Sequence, residues 1–226
     1  TVPVAGPDKR FHLIWVWRET GDCATNHDLS YARSDDLVHW TDSAGKPLSL
    51  PVTLGTGEVV DPVPERGGLL NVNRELGFDN AGRPVITYHK YDAAGDLQAY
   101  AARREDKGWR IRQVSDWKGY RWNFSGGGTI VVEVRIGAVR ALGGGRLAMD
   151  YRYPKGAGTW ILDEASLQPI PGAVVPHQPA PLARELAKIQ PETARLLRNQ
   201  SSASGAAQHA KSQRLTWHTL ELKHNR

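Results

Sequence analysis

GRPVITYHKYDAAGD, residues 82–96, opens on a glycine turn and runs through apolar and β-branched positions. It ends in a cluster of tyrosine, histidine, lysine and aspartate. That composition reads as a β-strand closed by a tight turn. Two other stretches share the design: KRFHLIWVWR (9–18) and GRLAMDYRY (145–153). Aligned on Arg10, Arg83 and Arg146, the three place Trp15, Tyr88 and Tyr151 at one common position. Each is followed by a turn and a second strand, namely DLSYARS (28–34), DLQAYAARRE (96–105) and GTWILD (158–163). The first two then continue into a tryptophan-bearing strand, LVHWTD (37–42) and KGWRIRQV (107–114).

A strand also precedes the second and third hairpins, LLNVNRELGFD (69–79) and TIVVEVRIGAV (129–139). The repeating unit is thus four antiparallel strands in roughly 60 to 70 residues, which points to an all-β fold of propeller blades. Helices do not produce turn signals this closely spaced. The first hairpin has no room for a preceding strand, so the chain is expected to start inside a blade. Three blades do not close a ring, and the chain reads as part of a larger propeller. A twisted β-sandwich complete in itself is the alternative. Residues 1–170 make up the blades. Residues 171–212 hold a Pro-rich connector, a helical stretch (182–200) interrupted at Pro191, and a linker. Residues 213–226 return to strand composition.

The 226-residue chain carries a net charge of +5, which favours an anionic partner. It shows no RNA-binding consensus, zinc-finger spacing or dense basic run, so nucleic acid is not expected. No apolar run is long enough for a spanning helix, and no N-terminal export signal is visible. Cys23 is the only cysteine, which excludes an internal disulfide. Eight tryptophans and seven tyrosines stand against three phenylalanines, a skew suited to sugar stacking as well as to β cores. The histidines lack metal-ligand spacing and no GxSxG motif occurs, so neither a metal nor another cofactor is expected. The expected state is a monomer.

Among chemistry-bearing residues, His27 sits in a turn between Asn26 and Asp28, whereas His39 reads as structural. Tyr88 and His89 are neighbours on a strand and point to opposite faces. The shared repeat position gives Tyr88 a core reading as well as a functional one. Arg103 and Arg104 end the strand paired with it, and each also reads as an ordinary edge residue. YRWNFSGGG (120–128) has the composition of a sugar-lining loop or of a connection between blades.

TNHDLSYARSDDLVHW, the GRPVITYHKYD stretch with its following Q-x-Y-x-A-R strand, and YRWNFSGGG together resemble the BNR-repeat-like propellers that include ulvan lyases and related polysaccharide lyases. The similarity runs from about residue 11 to residue 170. It implies a seven-bladed propeller, of which this chain is a part, in a secreted or periplasmic protein. The implied reaction is β-elimination at a uronic acid in an anionic polysaccharide. A base removes the C5 proton, a cation neutralises the carboxylate and an acid protonates O4. Carried residue by residue, the resemblance makes His27, Tyr88 and Arg103 catalytic: Tyr88 as acid and also as base, His27 sharing proton transfer, Arg103 neutralising the carboxylate. His89, Lys90, Arg104, Arg121 and Tyr151 become substrate-binding, with Arg104 standing in for Arg103 if the register shifts by one.

Two other classes compete. YARSDDLVHW also resembles a segment of five-bladed propeller glycosidases, which need two carboxylates across a funnel. Asp35, Asp36, Asp61, Asp92 and Glu133 are available for that role, but the N-terminal motif of those enzymes is missing. A non-catalytic propeller that binds sugar through tryptophans and basic residues is the other.

Overall fold

The structure, a computed structural model, describes residues 2–175. The helical stretch expected at 182–200, the linker after it and the terminal strand expected from 213 lie outside the described residues.

Three antiparallel sheets follow one another along the chain. The first contains β1 (Val4–Ala5), β2 (Phe11–Arg18), β3 (Asn26–Ser34) and β4 (Trp40–Thr41), with β5 (Glu58–Asp61) also paired to β3. The second is β6 (Glu75–Phe78), β7 (Pro84–Tyr91), β8 (Leu97–Glu105) and β9 (Gly108–Gln113), paired in that order. The third contains β10 (Arg135–Ile136), β11 (Arg140–Gly143), β12 (Arg146–Tyr153), β13 (Gly156–Asp163) and β14 (Gln168–Pro169), with β10 and β11 both paired to β12. These are three propeller blades, each built on one of the hairpins read from sequence. One expectation is corrected: β1 pairs with Phe11 and His12, so a short strand does precede the first hairpin. Two residues suffice for it, which is why no strand signal is visible there.

Strand alternation explains how the blades stack. In β7, Ile86 and Tyr88 point to one side and join Ile14, Leu29 and Tyr31 of the first blade, together with Tyr100 and Ala102 of β8. Val85 points to the other side, where it packs with Leu97, Ala99, Ala101 and the third blade's Leu147, Met149 and Leu162. The middle blade is therefore covered on both faces, and Leu97 to Arg103 in β8 are all buried. Each fully buried large aliphatic side chain contributes about 1.5–3 kcal/mol.

The hairpin turns use one piece of chemistry three times. Asp42, Asp79 and Asp92 each open a D-x-x-G-x turn, and Oδ1 accepts from the amides two and four residues on, at 2.8–3.0 Å. Gly45, Gly82 and Gly95 take the positive φ that such a turn requires.

Between the second and third blades the backbones nearly touch. A Cβ on Gly77 in β6 would strike the Val139 carbonyl oxygen and lie 3.0 Å from the Val139 amide nitrogen. Because backbone does not give way as a side chain does, Gly77→Ala is expected to destabilise the protein by about 2 kcal/mol. Urea unfolding measures this, and a midpoint equal to the parent's would show that the two blades are not locked at this point.

Candidate functional site

The C-terminal ends of β2 and β7 and the N-terminal end of β3 are tied into one rim by cross-blade hydrogen bonds. The Arg66 amide donates to the Ala24 carbonyl and the Tyr91 amide to the Gly67 carbonyl, both at 2.8 Å. The Cys23 amide donates to the Gly126 carbonyl at 2.8 Å, bringing the glycine-rich loop alongside. The Tyr91 hydroxyl donates to the Trp122 carbonyl at 2.6 Å. Gly68 is held at φ +82°, and a Cβ there would meet the Tyr91 ring at 3.0 Å, so this crossing needs glycine.

At this rim Tyr88 and Lys90 lie on the same face of β7, two residues apart, and both reach Asp61 at the end of β5. The Tyr88 hydroxyl donates to Asp61 Oδ2, and Lys90 Nζ lies 2.6 Å from the same oxygen. Lys90 Nζ also sits 4.9 Å from the centroid of the Tyr100 ring, which stacks on Tyr88. Burial first, and then the negative charge of Asp61, push the Tyr88 phenol well above its ordinary range. It stays protonated, its proton held on Asp61. Tyr88 is fully buried, while the Lys90 side chain is 21% exposed and carries the cluster's charge to solvent.

His27 stands at the start of β3, paired with Trp17 beyond a register shift that takes it out of step with Leu29. Its Nε2 is 2.8 Å from Glu19 and its Nδ1 3.0 Å from Asp28. Burial opposes a charge on this ring, but the two carboxylates outweigh it and raise its pKa above the usual histidine value. The ring therefore holds its proton to higher pH than a free imidazole does.

One cavity lies beside this cluster and another opens between the second and third blades. One, of about 240 Å³, is lined by Arg66, Gly68, Tyr91, Arg121, Asn123 and Phe124. Arg121 lies over the Tyr91 ring at 3.8 Å and is fixed by the Gly95 carbonyl and Asn123. The other, of about 420 Å³, lies against the third blade and includes Tyr151, Arg135 and Arg152. Tyr151 stacks on Trp160 at 3.8 Å. Among the described residues, no group of three or more His, Cys, Asp or Glu side chains is arranged to hold a metal ion.

A profile of BNR repeat-containing family members matches residues 1–117, just over half of the chain. The chain belongs to this BNR repeat-containing family. Among solved structures it is similar to an ulvan lyase bound to a glucuronate and sulfated-rhamnose saccharide, described as a new family of polysaccharide lyase. Identity is 14% and the TM-score 0.53, over 74% of this chain and 40% of that one. The same lyase in a second structure gives 14% identity and a TM-score of 0.46, over 71% and 41%. A fucose lectin from Kordia zhangzhouensis in complex with methyl-fucoside gives 11% and 0.34, over 71% and 90%. At these identities the ulvan lyase likeness shows the fold, and the chain spans about two fifths of that enzyme's length. No curated protein sequence matches the chain.

Within this BNR repeat-containing chain the eight residues singled out from sequence divide. Tyr88 and Lys90 meet at Asp61, Arg121 and Tyr151 each line a cavity, and His27 stands apart with Glu19 and Asp28. Arg103 and Arg104 do not join Tyr88 either, which corrects the expected constellation. Tyr88 pairs with Tyr100, so Arg103 stands three residues along the ladder, about 10 Å away, and on the opposite face. Its guanidinium is buried against the Glu164 carbonyl and the Glu105 carboxylate. Arg104 shares the Tyr88 face but lies still farther toward the opposite rim, where it bonds Ser43 Oγ at 2.7 Å. His89 also departs from its expected binding role, because it is fully buried with Nδ1 2.7 Å from the Gly68 carbonyl and packs on Trp122 and Phe124. It supports the cavity wall from behind. Asp61 and Arg66 are the residues that sequence reasoning left without this role. Both come from VVDPVPERGG (59–68), whose prolines and glycines mark only a loop.

Proposed function

We propose that this protein acts on an anionic, uronate-containing polysaccharide by β-elimination, at the rim where Lys90 reaches solvent. The observation that carries the reading is the chain Tyr88–Asp61–Lys90, a protonated phenol and a surface cation sharing one buried carboxylate. In this scheme Lys90 takes the neutralising task for which Arg103 lies too far away. A base presented at the same rim accepts the C5 proton. The C5–H electrons form the C4–C5 double bond, the C4–O4 bond breaks, and O4 takes a proton from water at the open rim. A polymer substrate of this kind is met outside the cell, so export belongs to the same proposal.

The experiment follows the ultraviolet absorbance of unsaturated ends released from ulvan, rhamnogalacturonan and glucuronan. Lys90→Met is expected to lower turnover by about 100-fold or more, the scale of losing one electrostatic stabiliser of the transition state. Unchanged turnover in that variant would remove Lys90 from the chemistry, and saturated ends would indicate hydrolysis. A second reading, carbohydrate binding without turnover, is favoured by the complete burial of Tyr88. Retention on anionic glycan with no unsaturated product is its signature.

A further inference from the structure

On the other side of the Gly126 strap from the Arg121 cavity lies a separate pocket of about 350 Å³, lined by Arg18, Asn71, Val72, Ile130, Val132 and Arg135 among others. We propose that it is a second carbohydrate subsite, one that takes an anionic sugar unit through a sulfate ester or a carboxylate. The inference rests on reading the protein as a binder of anionic polysaccharide, and does not depend on its being a lyase.

The lining supports this in three ways. No carboxylate faces the pocket, although two guanidiniums do, so the charge inside is unbalanced in favour of an anion. Arg18 is oriented in advance: Nε donates to the Thr20 carbonyl at 2.8 Å and Nη2 to the Gly21 carbonyl. Among the described residues its Nη1 has no hydrogen bond, and the exposed Arg135 side chain makes neither a hydrogen bond nor an ion pair. Leu70, Val72, Ile130 and Val132 supply apolar wall, matching the C–H faces of a pyranose, and the volume sits at the small end of ligand sites.

A polar group behind the wall points the same way. Asn26, 1% exposed, pairs with Arg18 across β2 and β3 and reaches Asn71 Oδ1 through Nδ2 at 3.5 Å. Its Oδ1 has no hydrogen-bond partner. Buried acceptors are nearly always satisfied, so this one marks unsatisfied polar character directly behind the Asn71 wall.

The strap itself makes the two cavities neighbours. The Cys23 amide bonds the Gly126 carbonyl, and the Gly126 amide bonds Asp22 Oδ1 at 2.6 Å. Ala24 and Ser125 line the cavity on one side of that bridge, and Cys23 and Gly128 line the pocket on the other. Two basic pockets flanking a narrow ridge fit consecutive units of a polymer better than one free monosaccharide.

The test measures binding of the full chain to polyglucuronate, dextran sulfate and uncharged dextran by affinity electrophoresis. Arg135→Gln is the main variant, because its exposed side chain leaves folding intact, and Arg112→Gln, exposed on β9, controls for simple loss of charge. Arg135→Gln is expected to weaken binding to at least one charged polymer about ten-fold, the worth of a hydrogen bond to a charged group. Arg112→Gln is expected to change it less than about two-fold. The polymer showing the larger loss identifies the carboxylate or the sulfate as the group bound. Equal losses from the two variants on both charged polymers would overturn the subsite. Absence of unsaturated product with the Arg135 effect intact removes the lyase reading and leaves the pocket, and the reverse pattern removes the pocket alone.

Discussion

Asp61→Ala is expected to lower the free energy of unfolding by about 3 kcal/mol, the cost of leaving a buried charge pair with one partner. Asp61 is 4% exposed and accepts from both Tyr88 and Lys90. Its removal strands a fully buried phenol with no acceptor and leaves an ammonium group against the Tyr100 ring. In a domain of this size the loss corresponds to a melting-temperature drop of about 6–12 °C. Asp61→Asn keeps an acceptor for the phenol while losing the charge, so its cost should be smaller. Combining Asp61→Asn with Lys90→Met should cost less than the sum of the two, because the second change removes the cation that the first left unpaired. A loss from Asp61→Ala below about 1 kcal/mol would mean that solvent reaches the pair and screens it. The chain Tyr88–Asp61–Lys90 would then not be the rigid unit that the proposed chemistry requires.

The three hairpins were legible because two local signals agreed in each: period-two alternation and a turn that only a few residues permit. Arg10, Arg83 and Arg146 marked the same register, and the structure begins β2, β7 and β12 at or next to those residues. The D-x-x-G-x turns opening on Asp42, Asp79 and Asp92 are a further signal in the sequence, and they state the hairpin geometry more directly than the strands do. What lies between hairpins was far less legible. Of the eleven residues in LLNVNRELGFD, only Glu75–Phe78 form a strand, because Asn73 spends its side chain on the Val134 carbonyl and the Ile136 amide of the next blade. Apolar content there reports packing between blades, not ladder pairing.

The site followed the same division. Alternation separates Tyr88 from His89, and carried across the hairpin it separates Tyr88 from Arg103 as well. The pairing of Tyr88 with Tyr100 already places that arginine on the other face and toward the other rim. Asp61, by contrast, was out of reach. Its contact with Tyr88 spans 27 residues and two blades, and no local pattern encodes such a meeting. The cation that answers to the buried carboxylate is Lys90, one pleat along the strand from the tyrosine. Contacts within a hairpin can be worked out from register, whereas contacts between blades depend on the stacking angle of whole sheets.

His89 makes the second large expected effect, a loss of about 3 kcal/mol of stability as pH falls from 6.5 toward 4. Burial drives its pKa from 6.5 down to about 4, and the hydrogen bond to the Gly68 carbonyl only partly offsets this. In the unfolded chain the ring titrates near 6.5. Between the two values the unfolded state binds a proton that the folded state refuses, so acid favours unfolding. The stability is complete above about 6.5 and is lost progressively down to about 4, below which this group adds nothing further. His89→Gln removes the titration while keeping an N–H donor for Gly68. Urea unfolding at pH 7 and at pH 4.5 should therefore show a steeper fall for the parent than for the variant, whatever the other acidic groups contribute to both. Parallel falls would mean that the ring finds a partner for its second nitrogen and takes up the proton in place. That outcome would also change the cavity beside Tyr91, because a charged imidazole behind Trp122 and Phe124 would turn a neutral wall into a cationic one.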